Sequence, residues 1–397
     1  MNTSSFPIDF TTASLNSRIT FTRTTGASNP ATYVNSNGYV TSASNNQPRF
    51  DYDPVTLACK GLLIEESRVN LMLYSESIAN TFISNATYSA NSAVSPSNTL
   101  TADKLIPNNG VIGHFRETFS FSATTYTASI FAKKAEWKAV TIGQGGVGAY
   151  FDLDTGTVGN VNAGYTAKIV SFGNGWYRCS VTFTSAAISE NIRYYASNST
   201  TSTTTGNGAS GIYVWGWQLE SGAFATSYIP TTTAALTRNA DVAVITGTNF
   251  SDWWQSGKGG AQVQAIPLTV TGIRPLVQYD DGTANEIIAL RGNTTNPELY
   301  VVDGGSPQAQ LDAGTIAANI AYSLTGWWQT NDCKARKDSG AVVTDDTATI
   351  PTVTQARLGS DGTNYLNGHL ATVNYYDSFF GQSIYTRRKN KVVSSLL

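Results

Sequence analysis

The stretch Trp-Tyr-Arg-Cys-Ser-Val-Thr-Phe at residues 176–183 decides the fold class of this 397-residue chain. Its apolar and polar side chains alternate, and a period of two residues is the pattern of a half-buried β-strand. Similar short runs occur at residues 126–131, 211–219, 263–266 and 369–376, and Gly, Asn, Asp and Ser separate them. Helical periodicity is almost absent, so the sequence predicts an all-β protein.

Turn sequences support this interpretation. Asp-Leu-Asp-Thr-Gly-Thr at residues 152–157 predicts a tight hairpin, and Ser-Asn-Gly at residues 36–38 predicts another. The Ser- and Thr-rich residues 197–208 are interpreted as a long loop inside a domain. The strongest helix candidate, residues 61–74, also reads as two extended segments around Glu-Glu-Ser-Arg. Both interpretations of that segment stay open.

The predicted architecture is two jelly-roll-like β-sandwich domains in tandem with an N-terminal arm, because many short, evenly spaced strands are typical of such sandwiches. The clearest break lies near residues 240–246, after Ile-Pro-Thr-Thr-Thr at residues 229–233. We therefore expect an arm at residues 1–70, one sandwich at residues 71–242 and a second at residues 243–397. No internal repeat of ~20–50 residues is visible, which argues against a β-solenoid.

Charged residues are scarce. Asp, Glu, Lys and Arg make up 13% of the chain, about half the usual ~25%, and the net charge is −2. Without a basic stripe, nucleic-acid binding is not expected. The basic cluster at residues 387–391 is interpreted as a solubilising tail or a contact with an acidic neighbour.

No run approaches ~18 apolar residues, so membrane insertion is not expected. The first residues show no signal-peptide pattern.

The cysteines Cys59, Cys179 and Cys333 lie more than a hundred residues apart. Their number is odd and their spacing matches no CxxC pattern, so neither a disulfide framework nor a zinc site is indicated. We expect buried free thiols in a chain that folds in a reducing cytoplasm, and no cofactor.

Three passages carry a family resemblance. The first includes Pro-Arg-Phe-Asp-Tyr-Asp-Pro at residues 48–54 and Gly-Leu-Leu-Ile-Glu-Glu at residues 61–66. The second includes Val-Trp-Gly-Trp-Gln-Leu-Glu at residues 214–220 and Thr-Ser-Tyr-Ile-Pro-Thr at residues 226–231. The third includes Arg-Leu-Gly-Ser-Asp-Gly at residues 357–362, followed by Leu-Asn-Gly-His-Leu and a Tyr-Tyr pair.

In this order the passages resemble tailed-bacteriophage structural proteins of the tail-fibre, head-fibre or spike type. The first is similar to their N-terminal region and the second to the carbohydrate-binding jelly roll that follows. The third resembles the closing strands of a concanavalin A or laminin-G-like sandwich. The resemblance implies a homotrimer on the virion surface, assembled in the host cytoplasm, that attaches to host-surface polysaccharide. Its N-terminal arm would dock on other virion proteins of the capsid or tail.

Two alternatives to attachment stay open: a purely architectural decoration or adaptor protein, and a glycan depolymerase. Catalysis is not expected. The chain has two histidines, His114 and His369, both in strand-like settings, and no Gly-x-Ser-x-Gly elbow. Glycoside hydrolysis needs two carboxylates ~5–9.5 Å apart. The adjacent pairs at residues 65–66 and 345–346 would point to opposite faces of a strand, so no catalytic residue is predicted.

Glycan binding needs an exposed aromatic face beside amide or carboxylate groups. Trp137 is a candidate because charged residues flank it. Trp176 and Tyr177 are candidates because neighbours on a strand take opposite faces. Trp254 and Trp328 belong to adjacent tryptophan pairs in which one ring should face outward, toward sugar or toward another subunit.

Two further groups complete the candidates. Asp361 and Asn364, with Asn367, form a polar loop that would bind sugar or calcium, or would simply be a turn. Asp and Asn do not cluster there with lectin-like calcium spacing, so no metal site is predicted. Trp215 and Trp217 lie two residues apart, share a face if the strand is regular, and are interpreted as core.

Overall fold

The alternating sequence pattern is realised as strands throughout the computed structural model, which describes residues 5–23 and 31–377. Among these residues the strands form two β-sandwiches, which confirms the all-β prediction. The basic cluster at residues 387–391 lies outside the described residues. No helix in the described ranges is long and apolar enough to cross a membrane.

The N-terminal strands are short. In chain order they are β1 (Phe6–Asp9), β2 (Thr20–Thr22), β3 (Thr32–Val34), β4 (Val40–Ser42), β5 (Phe50–Tyr52), β6 (Cys59–Ile64) and β7 (Arg68–Asn70). A 3-10 turn at Phe10–Thr12 follows β1. Residues 61–74, the strongest helix candidate, therefore form the two extended segments of the alternative prediction, since β6 and β7 occupy half of this range and no helix lies within it.

The first sandwich follows a 3-10 turn at Ile78–Asn80. Its strands are β8 (Phe82–Ser84), β9 (Ala86–Val94), β10 (Leu100–Pro107), β11 (His114–Ser120), β12 (Thr125–Lys134), β13 (Ala139–Gln144), β14 (Val147–Asp152), β15 (Thr157–Val161), β16 (Tyr165–Ser171), β17 (Trp176–Thr184), β18 (Ser189–Ser197) and β19 (Ile212–Ser221). One sheet has the order β16-β17-β12-β19-β10-β9, and the facing sheet has the order β15-β14-β13-β18-β11-β8.

The remaining elements, apart from β20, belong to the second sandwich. In chain order the remaining elements are β20 (Leu236–Arg238), β21 (Val242–Thr246), α1 (Thr248–Ser251), β22 (Lys258–Pro267), β23 (Ile273–Asp280), β24 (Ile287–Asn293), β25 (Asn296–Asp303), β26 (Ser306–Asp312), β27 (Tyr322–Gln329), β28 (Cys333–Lys337), β29 (Val343–Asp345), β30 (Gln355–Leu358) and β31 (Gly368–Tyr376). Of these, β20 pairs with β7 in a separate ribbon between the sandwiches.

Strands from the N-terminal segment complete both sheets of the second sandwich. One sheet has the order β29-β28-β27-β22-β31-β6-β5, with β1 also on β31, and the other has the order β2-β21-β30-β23-β24-β25-β26. Ile8 pairs with Val373 and Leu63 pairs with His369. The expected arm at residues 1–70 thus differs from what is observed: most of its strands are in these sheets, because β31 would otherwise expose an open, apolar edge.

The predicted turns are present. The Ser-Asn-Gly sequence connects β3 to β4, where Gly38 has a φ of 82°. The sequence at residues 152–157 connects β14 to β15, and Oδ1 of Asp152 accepts hydrogen bonds from the backbone N–H groups of Asp154 and Thr155 at 2.8 and 3.1 Å. The Ser- and Thr-rich segment is a loop between β18 and β19, inside the first sandwich as expected.

A β-bulge at Gly216 changes the expected placement of two tryptophans. The register between β12 and β19 shifts between Ser129 and Phe131, and Gly216 has a φ of 62°. An extra residue reverses the alternation. Trp217 therefore faces the core between the sheets, while Trp215 lies on the outer face with Phe131. Both rings are buried, as predicted. The prediction that they share one face of the sheet is wrong.

The three cysteines are free thiols. Cys179 and Cys333 are buried, and burial raises the pKa of the Cys179 thiol well above its usual value. Cys59 is half-buried, with Sγ 3.7 Å from the carbonyl oxygen of Phe10.

Candidate functional site

A cleft with a volume of about 520 Å³ lies between the two sandwiches. One wall is the outer face of the sheet that contains β12, β16 and β17. The opposite wall comes from the N-terminal segment and from two loops of the second sandwich, at residues 268–271 and 318–319.

Strand alternation builds the first wall. Along β17, Tyr177, Cys179 and Val181 face the core, so Arg178, Ser180 and Thr182 face the cleft. The antiparallel register extends these positions into rows across the sheet. Thr127, Thr182 and Thr166 form one row, and Ser129, Ser180 and Lys168 form the next. The wall therefore presents hydroxyl groups beside two cationic side chains.

Aromatic rings border these hydroxyl rows. Tyr33, Phe172 and Phe224 line the cleft and are half-buried, and the Arg68 guanidinium lies over the Phe224 ring, 5.0 Å from its centroid. Phe131 is buried and contacts Phe172 edge-on, with ring centroids 4.8 Å apart. The Arg178 guanidinium lies 5.3 Å from the centroid of the Phe131 ring. Phe172 is thus held in position by the buried cluster that contains Phe131.

The floor of the cleft contains the buried pair Asp51 and His369. Nε2 of His369 lies 2.8 Å from Oδ2 of Asp51, and Nζ of Lys60 lies 2.6 Å from the same oxygen. Burial opposes ionisation of Asp51, but Lys60 and the His369 hydrogen bond hold its pKa well below the usual range. Burial and the Lys60 charge lower the pKa of His369. His369 is therefore neutral at pH 7, and its Nε2–H donates to Asp51.

A buried charge cluster lies behind the floor. Nη1 of Arg49 lies 2.8 Å from Oε2 of Glu65, and the same oxygen lies 3.2 Å from Nη1 of Arg238. Asp241 pairs with Arg49 and, at 2.9 Å, with Arg23. All five side chains are fully buried.

Glu65 links this cluster to the end of the first sandwich. Its carboxylate accepts hydrogen bonds from the backbone N–H of Ser227 at 2.8 Å and from the Ser227 hydroxyl at 2.7 Å. Burial opposes ionisation, but Arg238 and Arg49 lower the pKa of Glu65 to about 2. The residues around positions 49, 65 and 227, which carry much of the family resemblance, therefore meet at the junction between the sandwiches and fix its geometry.

One hydrogen bond crosses the cleft between the sandwiches. Nζ of Lys168, on β16, donates to Oδ1 of Asn319 at 2.9 Å. Lys168 is exposed by accessible surface, but desolvation by the surrounding cleft lowers its pKa, and the nearby cations Arg178 and Lys60 lower it further.

The carboxylates of the lining are already engaged. Asp51 is bound by Lys60 and His369, and Glu65 by arginines and Ser227. Oδ1 of Asp53 accepts hydrogen bonds from the backbone N–H groups of Val55 and Thr56 at 2.9 and 2.8 Å. These contacts suit a binding cleft better than general acid–base chemistry, which needs carboxylates free to exchange protons with a substrate.

Three of the four tryptophans selected from the sequence do not offer open rings. Trp137 is 6% exposed, Trp176 is 3% exposed and Trp328 is fully buried. Trp176 does lie on the outer face, but Trp215 and Tyr228 cover that face, and its Nε1 donates to the carbonyl of Val94 at 3.0 Å. These burials correct the expectation that charged neighbours or strand alternation would leave these rings exposed.

The other candidates are half-buried or form a turn. Tyr177 packs against the first core. Trp254 stacks on Phe250, with ring centroids 5.0 Å apart. Oδ1 of Asp361 accepts a hydrogen bond from the backbone N–H of Asn364 at 2.6 Å, and Oδ2 accepts one from the side-chain amide of Asn364 at 2.8 Å. These bonds are those of a turn, which was the alternative to a sugar or calcium site. No set of His, Cys, Asp or Glu within the described ranges is arranged to hold a metal ion.

None of the seven candidates borders the cleft among its described lining residues. The half-buried aromatic residues that do line it, Tyr33, Phe172 and Phe224, were not predicted from the sequence. Tyr33 belongs to Ala-Thr-Tyr-Val at residues 31–34, which is also part of the first passage of the family resemblance, and this was the available signal for it. Phe172 directly precedes the turn glycine Gly173, and Phe224 lies two residues after the turn glycine Gly222. Nothing in the local sequence pattern predicts that these two residues are partly exposed.

Comparisons with known proteins give structural likenesses alone. No protein-family model matches the sequence, and no curated protein matches it significantly. The carbohydrate-binding module CBM40 of the Ruminococcus gnavus IT-sialidase, solved with α2,3-sialyllactose, is 12% identical, with a TM-score of 0.29 over 33% of this chain and 82% of that one.

Two other solved structures illustrate the range of the likeness. NanB sialidase from Streptococcus pneumoniae is 11% identical, with a TM-score of 0.31 over 36% of this chain and 26% of that one. Domains LG4-5 of the mouse laminin α1 chain are 9% identical, with a TM-score of 0.22 over 67% of this chain and 85% of that one. At TM-scores below 0.5, these likenesses carry no argument about what this chain binds.

Proposed function

We propose that this chain is a non-catalytic carbohydrate-binding protein whose cleft between the sandwiches holds a glycan. The observation that carries this proposal is the pairing of Tyr33, Phe172 and Phe224 with the hydroxyl rows of β16 and β17. Partly open rings stack on the C–H faces of sugars, and hydroxyl groups exchange hydrogen bonds with sugar hydroxyls.

The size and rigidity of the cleft support the same function. A volume of about 520 Å³ lies within the ~300–1,000 Å³ typical of ligand sites, which is room for a few sugar units. The charge cluster around Arg49 and Glu65 holds the walls together before a ligand arrives. A preformed site loses less conformational entropy on binding, which favours affinity.

The biological setting follows from the sequence resemblance. We propose a virion fibre, spike or capsid-surface protein that attaches to host polysaccharide, with a homotrimer as its assembly. Because β1, β2 and β6 are part of the second sandwich, docking on other virion proteins would use the surface of that sandwich. A purely architectural role is the alternative, and it requires no glycan.

A glycan array tests the proposal. We expect wild-type protein to bind a defined subset of glycans and Phe172→Ala to weaken that binding about tenfold, which corresponds to about 1.4 kcal/mol. The matched control is Phe82→Ala, since Phe82 is an exposed ring on β8 outside the cleft lining. Equal binding by all three proteins, or no binding on the array or to host cells, contradicts the proposal. Release of reducing ends from a bound polysaccharide would replace it with the depolymerase alternative.

A further inference from the structure

We propose that the glycan is acidic and that its carboxylate is bound by Lys168 and Arg178. This inference rests on the proposed function, because it specifies the class of sugar that the same cleft accepts.

Lys168 and Arg178 converge because of the strand register. Lys168 is opposite Ser180, and Val170 is opposite Arg178. The two cationic side chains are therefore diagonal neighbours on one face of the sheet, where Cα atoms lie roughly 7–8 Å apart. Long side chains at that spacing can reach a common group, and both residues line the cleft.

Both cations have only neutral partners among the described hydrogen bonds. Nζ of Lys168 donates to the amide oxygen of Asn319. Nη1 of Arg178 donates to the carbonyl of Thr226 at 2.7 Å, and Nη2 donates to the hydroxyl of Ser129 at 3.2 Å. Nε of Arg178 is buried without a hydrogen-bond partner in the described part of the chain. A guanidinium has five N–H donors, and the bonds to Thr226 and Ser129 use one hydrogen of each Nη, so Arg178 retains a second N–H on each Nη for a ligand.

The acids near Arg178 are satisfied elsewhere. Glu65 pairs with Arg49 and Arg238. Glu220 accepts hydrogen bonds from the Thr226 hydroxyl and, at 3.1 Å, from its backbone N–H. This differs from the buried arginines of the charge cluster, each of which contacts a carboxylate directly.

Neither Lys168 nor Arg178 is paired with a carboxylate in the part of the chain that the structure describes. Asp51 is matched by Lys60, and Glu65 is matched by two arginines behind the wall. Lys168 and Arg178 then remain beside Asp53, whose oxygen is held by backbone N–H groups, and beside the buried carboxylate of Glu220, which Thr226 binds. A ligand carboxylate in the cleft would form direct ion pairs with both cations, and charge-assisted hydrogen bonds from Lys and Arg to a carboxylate are about twice as strong as neutral ones.

The neighbouring groups indicate a sugar acid rather than a small anion. Ser180, Thr166 and Thr182 surround the two cations with hydroxyl groups, and Phe172 supplies a partly open ring. A uronic acid presents a carboxylate, hydroxyls and a C–H face on one ring, which matches these three kinds of group.

The test compares uronic-acid oligosaccharides of several linkages with their carboxyl-reduced forms, which keep the sugar skeleton and lose the charge. We expect wild type to bind the acidic forms at least tenfold more tightly, with the preference weakening as salt increases. Lys168→Gln should lose about tenfold on acidic forms and less than twofold on reduced forms. Lys258→Gln makes the same charge change at an exposed site outside the lining and should leave the preference intact.

Equal affinity for acidic and reduced forms overturns this inference but leaves glycan binding in place. An equal loss of affinity for the acidic and the reduced forms in Lys168→Gln also overturns it, because Lys168 would then contribute to binding without contacting the carboxylate. Absence of binding to any glycan overturns the proposed function as well, so the two failures are distinguishable.

Discussion

His369 and Asp51 are separated by 318 positions in the sequence, yet Nε2 of His369 donates to Oδ2 of Asp51 across 2.8 Å. This hydrogen bond joins β31 to residues 1–70, which were predicted from the sequence to form a separate arm. Lys60 binds the same carboxylate. The beginning and the end of the described chain thus form one structural unit, and the floor of the cleft depends on both.

Asp51→Asn should reduce stability at neutral pH by about 2 kcal/mol, because it weakens the bonds to Lys60 and His369. The folded-state pKa of Asp51 is lowered. The stability that it contributes is therefore present above the unfolded pKa of ~3.9 and is lost as pH falls below it. Urea unfolding between pH 7 and pH 3 should show the gap between wild type and variant shrinking with acid. A constant gap contradicts this account, and the exposed Asp346→Asn should show no gap.

Glu65→Gln should cost about 3–5 kcal/mol, because it leaves three buried arginines facing Asp241 alone. Thermal or chemical unfolding measures the loss. Glu136→Gln is the matched control, since its pair with Lys104 has a 53% exposed carboxylate and should be worth less than ~1 kcal/mol. A loss below ~1 kcal/mol for Glu65→Gln would show that the cluster does not hold the junction.

Glu117→Gln should stabilise the protein at pH 8 by about 2 kcal/mol and have little effect at pH 4. Burial raises the pKa of Glu117 to about 7, although the backbone N–H of Leu73 favours the ionised form. Folding therefore becomes less favourable as pH rises from the unfolded pKa of ~4.3 to about 7, and the cost is complete above that. The same stability change at both pH values would rule out a raised pKa.

Gly61→Ala should destabilise by about 3–4 kcal/mol, through backbone strain and overpacking. Gly61 has a φ of 101°, and a Cβ there would lie 2.1 Å from the carbonyl oxygen of Leu370. Gly257→Ala is the control, because Gly257 shares a positive φ but has open space around it. It should cost only about 1 kcal/mol. Equal losses in denaturant unfolding would mean that the close contact between β6 and β31 is absent.

Much of the fold was predictable from local pattern. The alternation along β17 correctly predicts that Cys179 and Val181 face the core and that Arg178 faces away from it. The two predicted turn sequences do form hairpins. The pairing of β1 and β6 with β31 was not predictable, because β-sheet partners more than 300 residues apart leave no local signal. The bulge at Gly216 was missed for a related reason, since a glycine in a strand permits a bulge without requiring one.

The site was predicted less well than the fold. Trp176 was correctly expected on a different face from Tyr177, but the outer face of the first sandwich is covered by Tyr228 and by residues from outside it, such as Val40. Exposure there depends on tertiary packing, which sequence alternation alone does not report. The proposed carbohydrate site combines Tyr33, Phe172 and Phe224 from three separate segments, so it became visible only in three dimensions.

Amide hydrogen exchange with and without the tightest glycan from the array tests the central claim most directly. The account predicts slower exchange on binding at residues 166–182 and 222–228, which form one wall of the cleft, and unchanged exchange around Phe82. Protection confined to the loop at residues 361–364, or to the face around Phe82, would place the glycan elsewhere and contradict a binding cleft between the sandwiches.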